Sequence, residues 1–194
     1  FSDSTKQSDF ANSTINGDVE LRDVNYLENN NPLIKTLFAK CRVKGDDLNQ
    51  TEVKGELREN DVDFKGSILN WQTYLANQKR LQIKGALVSN RINLDFIGDT
   101  TSTTDSTQPV TLDFGIDTDV KLEVAGFKWS NLNTKNLTGN LVWNKKGMLL
   151  RNIVFDAWGG ANQLDGELFE FDDHFELHTT SISEKVAIEA LLRD

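Results

Sequence analysis

Glycines follow large apolar residues at a fixed spacing in this chain. Ten of the thirteen glycines stand two positions after Val, Ile, Leu, Phe or Trp, as in Phe64-Lys65-Gly66 and Leu164-Asp165-Gly166. Residues i and i+2 point to the same face of a β-strand, so these glycines lie on an apolar face. A glycine there permits a kink, a bulge or a close approach of two backbones. The pattern therefore predicts a curved β-sheet with one apolar face.

The charge balance excludes several classes of function. The formal net charge is −9, and the Lys and Arg residues are scattered, so nothing in the sequence indicates nucleic-acid binding. The sequence has no run of 18 apolar residues. It also has no G-x-S-x-G elbow, phosphate-binding loop or G-x-G-x-x-G motif, and we expect neither an enzyme nor a cofactor. Cys41 is the single cysteine, and its apolar neighbours favour a small core residue over a reactive thiol.

A polar segment divides the chain into two predicted β modules. Residues 98–109 contain no large apolar side chain and form a linker or long loop between modules at 15–97 and 110–194. Residues 1–14 are polar and predicted to be disordered. Short turn signals between the strands predict antiparallel meanders. Two short helices are expected, one from Asn70 to Gln78 and one from Ser183, as its N-cap, to Arg193. The fold class is mainly β, as a groove, half-barrel or sandwich.

The longest alternating pattern runs from Val110 to Val124. Its even positions are nearly all apolar and its odd positions mostly charged, which predicts one long amphipathic strand. We expect its apolar side, with matching residues of later strands, to line a groove or fill a core. The predicted lining residues are Val110, Leu112, Phe114, Ile116, Val120, Leu122, Val124, Leu141, Trp143, Ile153 and Phe155. Glycines expected to introduce curvature are Gly139, Gly159, Gly160 and Gly166.

The second module resembles the AsmA-like family, in the form found in Bacteroidetes. The resemblance rests on a strand with an early glycine (137–141), a following strand (148–155), the Gly159-Gly160 pair, and a further glycine-bearing strand (164–168). About 85 residues match well, and the first half matches more loosely. The motif is structural and degenerate.

The resemblance implies a periplasmic protein of outer-membrane biogenesis. Such proteins are anchored in the inner membrane by an N-terminal helix, which would lie outside this chain. AsmA and TamB resemble bridge-type lipid carriers with long β-grooves, so phospholipid or another acyl lipid is the implied ligand, and envelope proteins are implied partners. This chain departs from the family in being short and in lacking the membrane helix.

Two further residue patterns could carry chemistry, but both fit structural roles. His174 and His178 have a spacing that could bind zinc on a helix, but the alternation around them predicts a strand with a solvated polar face. Asp113, Asp117 and Asp119 could form a carboxylate pair of the glycosidase type, but alternation explains them as the wet side of a strand. We expect no metal site and no catalytic residue.

Three functions remain open from the sequence. The first is a non-catalytic β-groove module that transports phospholipid between membranes. The second is a structural or protein-interaction domain of the cell envelope, in which the same apolar residues form a closed core. The third is a carbohydrate-binding or carbohydrate-active module, which would need clustered Trp and carboxylate side chains.

Overall fold

A computed structural model describes residues 13–28, 31–95, 115–171, 174–187 and 189. The described chain is mainly β, as expected, and its strands form one open ten-stranded sheet. The strands, in both chain order and sheet order, are β1 (Asn16–Glu28), β2 (Asn31–Lys44), β3 (Asp47–Leu57), β4 (Asn60–Leu69), β5 (Leu81–Asn93), β6 (Ile116–Trp129), β7 (Leu132–Asn144), β8 (Gly147–Ala157), β9 (Gly160–Glu170) and β10 (Phe175–Glu184). The helix α1 (Trp71–Leu75) lies between β4 and β5.

Every neighbouring pair of strands is antiparallel except one. β5 and β6 run parallel, with Leu81 beside Ile116 and Asn93 beside Lys128 at the two ends of the pairing. A purely antiparallel meander was therefore wrong at this one position. A parallel pair needs a crossover connection, and residues 94–115 return the chain from the end of β5 to the start of β6. The strands of both predicted modules thus belong to one continuous sheet.

The two halves of the sheet repeat each other at a spacing of about 100 residues. β3 and β8 span 47–57 and 147–157, and β4 and β9 begin at 60 and 160. Within these strands Gly66 and Gly166 occupy matching positions, as do the left-handed residues Thr36 and Asn136 in the preceding pair. The chain therefore contains two five-stranded meanders of the same plan, joined in parallel through β5 and β6.

Register shifts that coincide with left-handed residues interrupt the pairing of β2, β3, β7 and β8. Thr36, Gln50, Asn136 and Asn152 have positive φ values and lie at register shifts in β2, β3, β7 and β8. Such bulges bend a strand and increase its local twist. Besides the glycines, these positions are therefore places where the strands can bend, and the glycine pattern did not predict them.

The predicted helices differ from the observed structure. α1 covers Trp71–Leu75, which is shorter than the expected 70–78. Its first turn is held by Asp46 of the β2–β3 turn, whose carboxylate accepts hydrogen bonds from the backbone N–H groups of Gln72 (2.8 Å) and Thr73 (3.0 Å). Asn70 makes no side-chain capping bond.

The expected N-cap at Ser183 was wrong, because Ser183 belongs to β10. Its Oγ donates a 2.7 Å hydrogen bond to the Oδ1 of Asn162, which fixes the hydroxyl on the neighbouring strand. Glu184 also belongs to β10 and residues 185–187 are not helical, whereas Glu189 is. The other five residues of that predicted helix, 188 and 190–193, lie outside the described residues.

Asp61 joins β4 to the far end of β5 beyond the last paired residues of those strands. Its carboxylate accepts hydrogen bonds from the backbone N–H groups of Asn90 (2.7 Å) and Arg91 (2.8 Å), and from the Ser89 hydroxyl (3.1 Å). The regular pairing of β4 with β5 ends at Asp63 and Val88, and these hydrogen bonds connect the two strands beyond that point. Partial burial raises the pKa of Asp61, but the hydrogen bonds to Asn90, Arg91 and Ser89 outweigh it and hold the pKa below its usual range.

We expect Asp61→Ala to lower the free energy of unfolding by about 1–3 kcal/mol at neutral pH, because backbone donors lose a charged acceptor. Since the folded-state pKa lies below the unfolded one, this stabilisation is present above about pH 4 and is lost as pH falls through the folded-state value. Urea unfolding at several pH values tests both points. The difference between wild type and variant should shrink at low pH, and a difference that stays constant would contradict this role of the carboxylate.

Candidate functional site

One face of the sheet is apolar across all ten strands. A row of directly paired residues crosses every strand, and it contains one glycine and one threonine among apolar side chains. Its members are Gly17, Val43, Leu48, Ile68, Ile83, Thr118, Trp143, Met148, Leu168 and Leu177. At about 4.8 Å per strand spacing, this row extends for about 43 Å.

A second row of paired apolar residues runs beside the first, four or five residues away from it along each strand. Paired residues from β1 to β7 are Leu21, Ala39, Val53, Phe64, Leu87, Leu122 and Gly139. Beyond β7, the side chain of Ile153 lies over Gly139, since a Cβ on Gly139 would be 2.4 Å from the Ile153 Cδ1. Val120 and Val124 of β6 lie on the same face and are 8% and 3% exposed. The apolar surface is therefore two rows deep from β1 to β8, and the first row extends it to β10.

The opposite face of the sheet is charged. One of its rows alternates acidic and basic residues, with Glu20, Lys40, Glu52 and Lys65 paired in succession. Ion pairs between neighbouring strands include Lys54–Asp63 at 2.9 Å. Most of these charged side chains are exposed, whereas the residues of the apolar face are largely buried or half-buried. Large apolar side chains on neighbouring strands cover one another across this face, which lowers their exposure.

Glycines on the apolar face make room for large side chains and for close backbone contact. Gly66 and Gly85 are directly paired, and a Cβ on Gly66 would lie 2.0 Å from the Lys84 carbonyl oxygen. The same Cβ would lie 2.8 Å from the Phe64 ring, which therefore covers the glycine two positions after it. Close backbone approach was predicted from the spacing. The side chain that lies over the glycine was missed.

The described lining residues share this face. Ile116, Val120, Leu122 and Val124 lie on β6, and Leu141, Trp143, Ile153 and Phe155 lie on β7 and β8. Leu122 and Trp143 belong to the two apolar rows, and Ile153 covers Gly139. Each of the others lies two positions along its strand from one of these residues or from Thr118, which places it on the same face. The other three predicted residues, Val110, Leu112 and Phe114, lie outside the described residues, and β6 begins at Ile116 rather than at Val110.

The four glycines expected to introduce curvature occupy two kinds of position. Gly139 and Gly166 lie on the apolar face, in β7 and β9. Gly159 lies in the two-residue turn between β8 and β9, and Gly160 is the first residue of β9. The Gly-Gly pair thus belongs to a hairpin turn, and the Cβ of a larger residue at 160 would lie 2.2 Å from the Glu184 carbonyl oxygen.

The other described candidate residues lie at the surface, where His174 and His178 are exposed and Asp117 is half-buried, and Asp113 lies outside the described residues. His174 and His178 flank Glu176, at 3.3 Å and 3.5 Å from its carboxylate oxygens, and His178 is on β10 as the alternation predicts. Asp117 accepts a 2.7 Å hydrogen bond from Arg80, and Asp119 is exposed. Among the residues that the structure describes, no three His, Cys, Asp or Glu side chains are grouped so as to hold a metal ion.

Cys41 lies on the apolar face, directly opposite Val19. Burial, with a smaller contribution from the charge of Asp18, raises the pKa of the Cys41 thiol. The thiol is therefore protonated at neutral pH and a weak nucleophile, consistent with the small apolar role that its neighbours predict.

Comparisons with family models, curated proteins and solved structures give no match for this chain. None of the helices in the described ranges has the length and apolar character needed to cross a membrane. The AsmA-like resemblance therefore remains a prediction from the sequence.

Proposed function

We propose that this chain is a non-catalytic module that binds acyl chains along the apolar face of its sheet. The observation that carries this proposal is the continuous apolar surface across ten strands, over which the described residues place no second sheet. The contacts of each described strand are predominantly with its neighbours in the sheet, and α1 contacts β5. A one-sided apolar sheet needs a cover in water, and an acyl chain is a chemically matched one.

The energetics favour a chain-like ligand over a compact one. Burial of a methylene group contributes about 0.8 kcal/mol, so eight buried methylenes contribute about 6 kcal/mol before the loss of ligand freedom is subtracted. The apolar rows are long and narrow, and the charged residues are on the opposite face. Such a surface discriminates by hydrophobicity and length and makes few demands on the head group.

The proposal extends to the family role that the sequence resembles. A module of this kind in an AsmA-like periplasmic protein would carry phospholipid acyl chains between the inner and outer membranes and keep them out of water. No reaction is needed, because a chain sliding along a uniform apolar face exchanges equivalent contacts. The full-length protein would be anchored in the inner membrane through a segment outside this chain.

A titration with a fluorescent fatty acid tests acyl binding directly. We expect saturable binding in the micromolar range, competed by unlabelled fatty acid and by short-chain phospholipid, and not by a soluble sugar. Saturable binding of the sugar instead would favour the carbohydrate-binding alternative. Absence of acyl binding by a folded protein would favour the interaction domain.

A further inference from the structure

The parallel pairing of β5 with β6, called the seam below, provides a template for β1 and β10, which have a neighbour on one side only among the described strands. Since the halves repeat, β10 ends the second meander as β5 ends the first, and β1 begins the first meander as β6 begins the second. At the seam the end of one meander pairs with the beginning of the next. We propose that β10 of one copy of this chain pairs in parallel with β1 of a second copy, which continues the sheet head to tail.

The register of this contact follows from equivalent residues. Gly66 pairs with Gly85, and its counterpart Gly166 pairs with Thr179, so Thr179 is equivalent to Gly85. On the other side of the seam, Val120 pairs with Leu141 and Val19 pairs with Cys41, so Val19 is equivalent to Val120.

The seam itself pairs Gly85 with Val120. The same geometry between two copies places Thr179 opposite Val19. One step along the apolar face in either direction, it places Leu177 opposite Gly17 and Ser181 opposite Leu21.

Exposure of the edge residues supports a missing neighbour. Val19 is 43% exposed, whereas the equivalent Val120 at the seam is 8% exposed. Leu177 is 65% exposed, whereas the equivalent Ile83 is half-buried. Leu21 is also exposed, at 47%. Val19, Leu21 and Leu177 are thus exposed apolar side chains whose counterparts at the seam are buried or half-buried.

Charges on the outer face fit the same register. At the seam Lys84 lies opposite Asp119. The equivalent residues at the edges are His178 and Asp18, which places an imidazole beside a carboxylate. Because the two edges differ, the contact is heterologous, and it builds open chains or rings of copies rather than a symmetric dimer. This proposal does not depend on acyl binding.

Mixing two single-cysteine proteins tests the register. In a Cys41→Ser background, one protein carries Thr179→Cys and the other, enlarged by a tag, carries Val19→Cys. Paired residues on adjacent strands have Cα atoms about 5 Å apart, within the range that a disulfide spans. We expect oxidation to give a mixed disulfide whose mass lies between those of the two possible disulfide-linked homodimers. The matched control replaces Thr179→Cys by Thr180→Cys, which points to the opposite face and should give at least fivefold less of this product.

Sedimentation of the wild type provides a second measurement that needs no substitution. We expect the mean mass to rise with protein concentration beyond that of a dimer. Val19, Thr179 and Thr180 are all exposed, so circular dichroism should show that the variants keep the fold. Equal yields from the two mixtures, or no mixed disulfide together with a monomer at every concentration, would overturn the proposal.

Discussion

A lysine at position 122 should weaken acyl binding at least tenfold, while a lysine at position 123 leaves it nearly unchanged. Leu122 lies in the middle of the apolar face, paired with Leu87 and Gly139. Glu123 is exposed on the charged face of the same strand, where it pairs with Lys121. An ammonium group beside a bound chain must either keep its water, which displaces the chain, or lose it at high cost.

The expected loss of affinity for Leu122→Lys is at least tenfold, which corresponds to about 1.4 kcal/mol, and for Glu123→Lys less than twofold. The fluorescent fatty-acid titration measures both. Leu122 is half-buried, so the lysine stem can extend along the surface and the fold should survive. Circular dichroism and the urea midpoint verify this. Equal affinities for the two folded variants would mean that the acyl chain binds elsewhere.

Alanine at position 66 should destabilise the protein far more than alanine at the equivalent position 166. A Cβ at position 66 would lie 2.0 Å from the Lys84 carbonyl oxygen and 2.8 Å from the Gly85 Cα, so two backbones would have to separate. At position 166 the nearest atoms are side-chain carbons of Leu150 and Thr179, both at 3.7 Å, which is ordinary contact.

We expect Gly66→Ala to lower the free energy of unfolding by about 2–4 kcal/mol, because overpacking here moves backbone as well as side chains. Gly166→Ala should change it by less than about 1 kcal/mol. Urea unfolding of both variants measures the difference. Similar values for the two would show that the close contact between β4 and β5 does not hold the sheet together.

Most of the local structure could be predicted from the sequence, and so could the face of each strand that is apolar. Alternation in the second half correctly placed the strands around 137–143, 149–155 and 164–168, because one buried face forces a period of two. The spacing of the glycines also anticipated the close backbone contact at Gly66. Every predicted lining residue that the structure describes lies on the apolar face, since parity along a strand determines its face.

Features that depend on strands distant in the sequence could not be predicted. The parallel pairing of β5 with β6 arises across the connection 94–115, which has no register signal. Ser183 satisfies the rules for an N-cap, yet its hydroxyl bonds Asn162 on a neighbouring strand. The left-handed conformations of Asn136 and Asn152 also depend on tertiary contacts. Asparagine tolerates that conformation, but the adjoining strands decide where the bulge forms.

Quenching of Trp143 by a brominated acyl chain tests the central claim most directly. Trp143 lies on the apolar face, between Thr118 and Met148. A dibrominated stearate quenches indoles that it touches, so acyl binding along this face should quench part of the protein emission. That quenched part should disappear in Trp143→Phe. It should not return when Val142→Trp is added, because residue 142 points to the charged face. Quenching that persists in Trp143→Phe, or that is absent from the wild type at saturating stearate, would contradict the account.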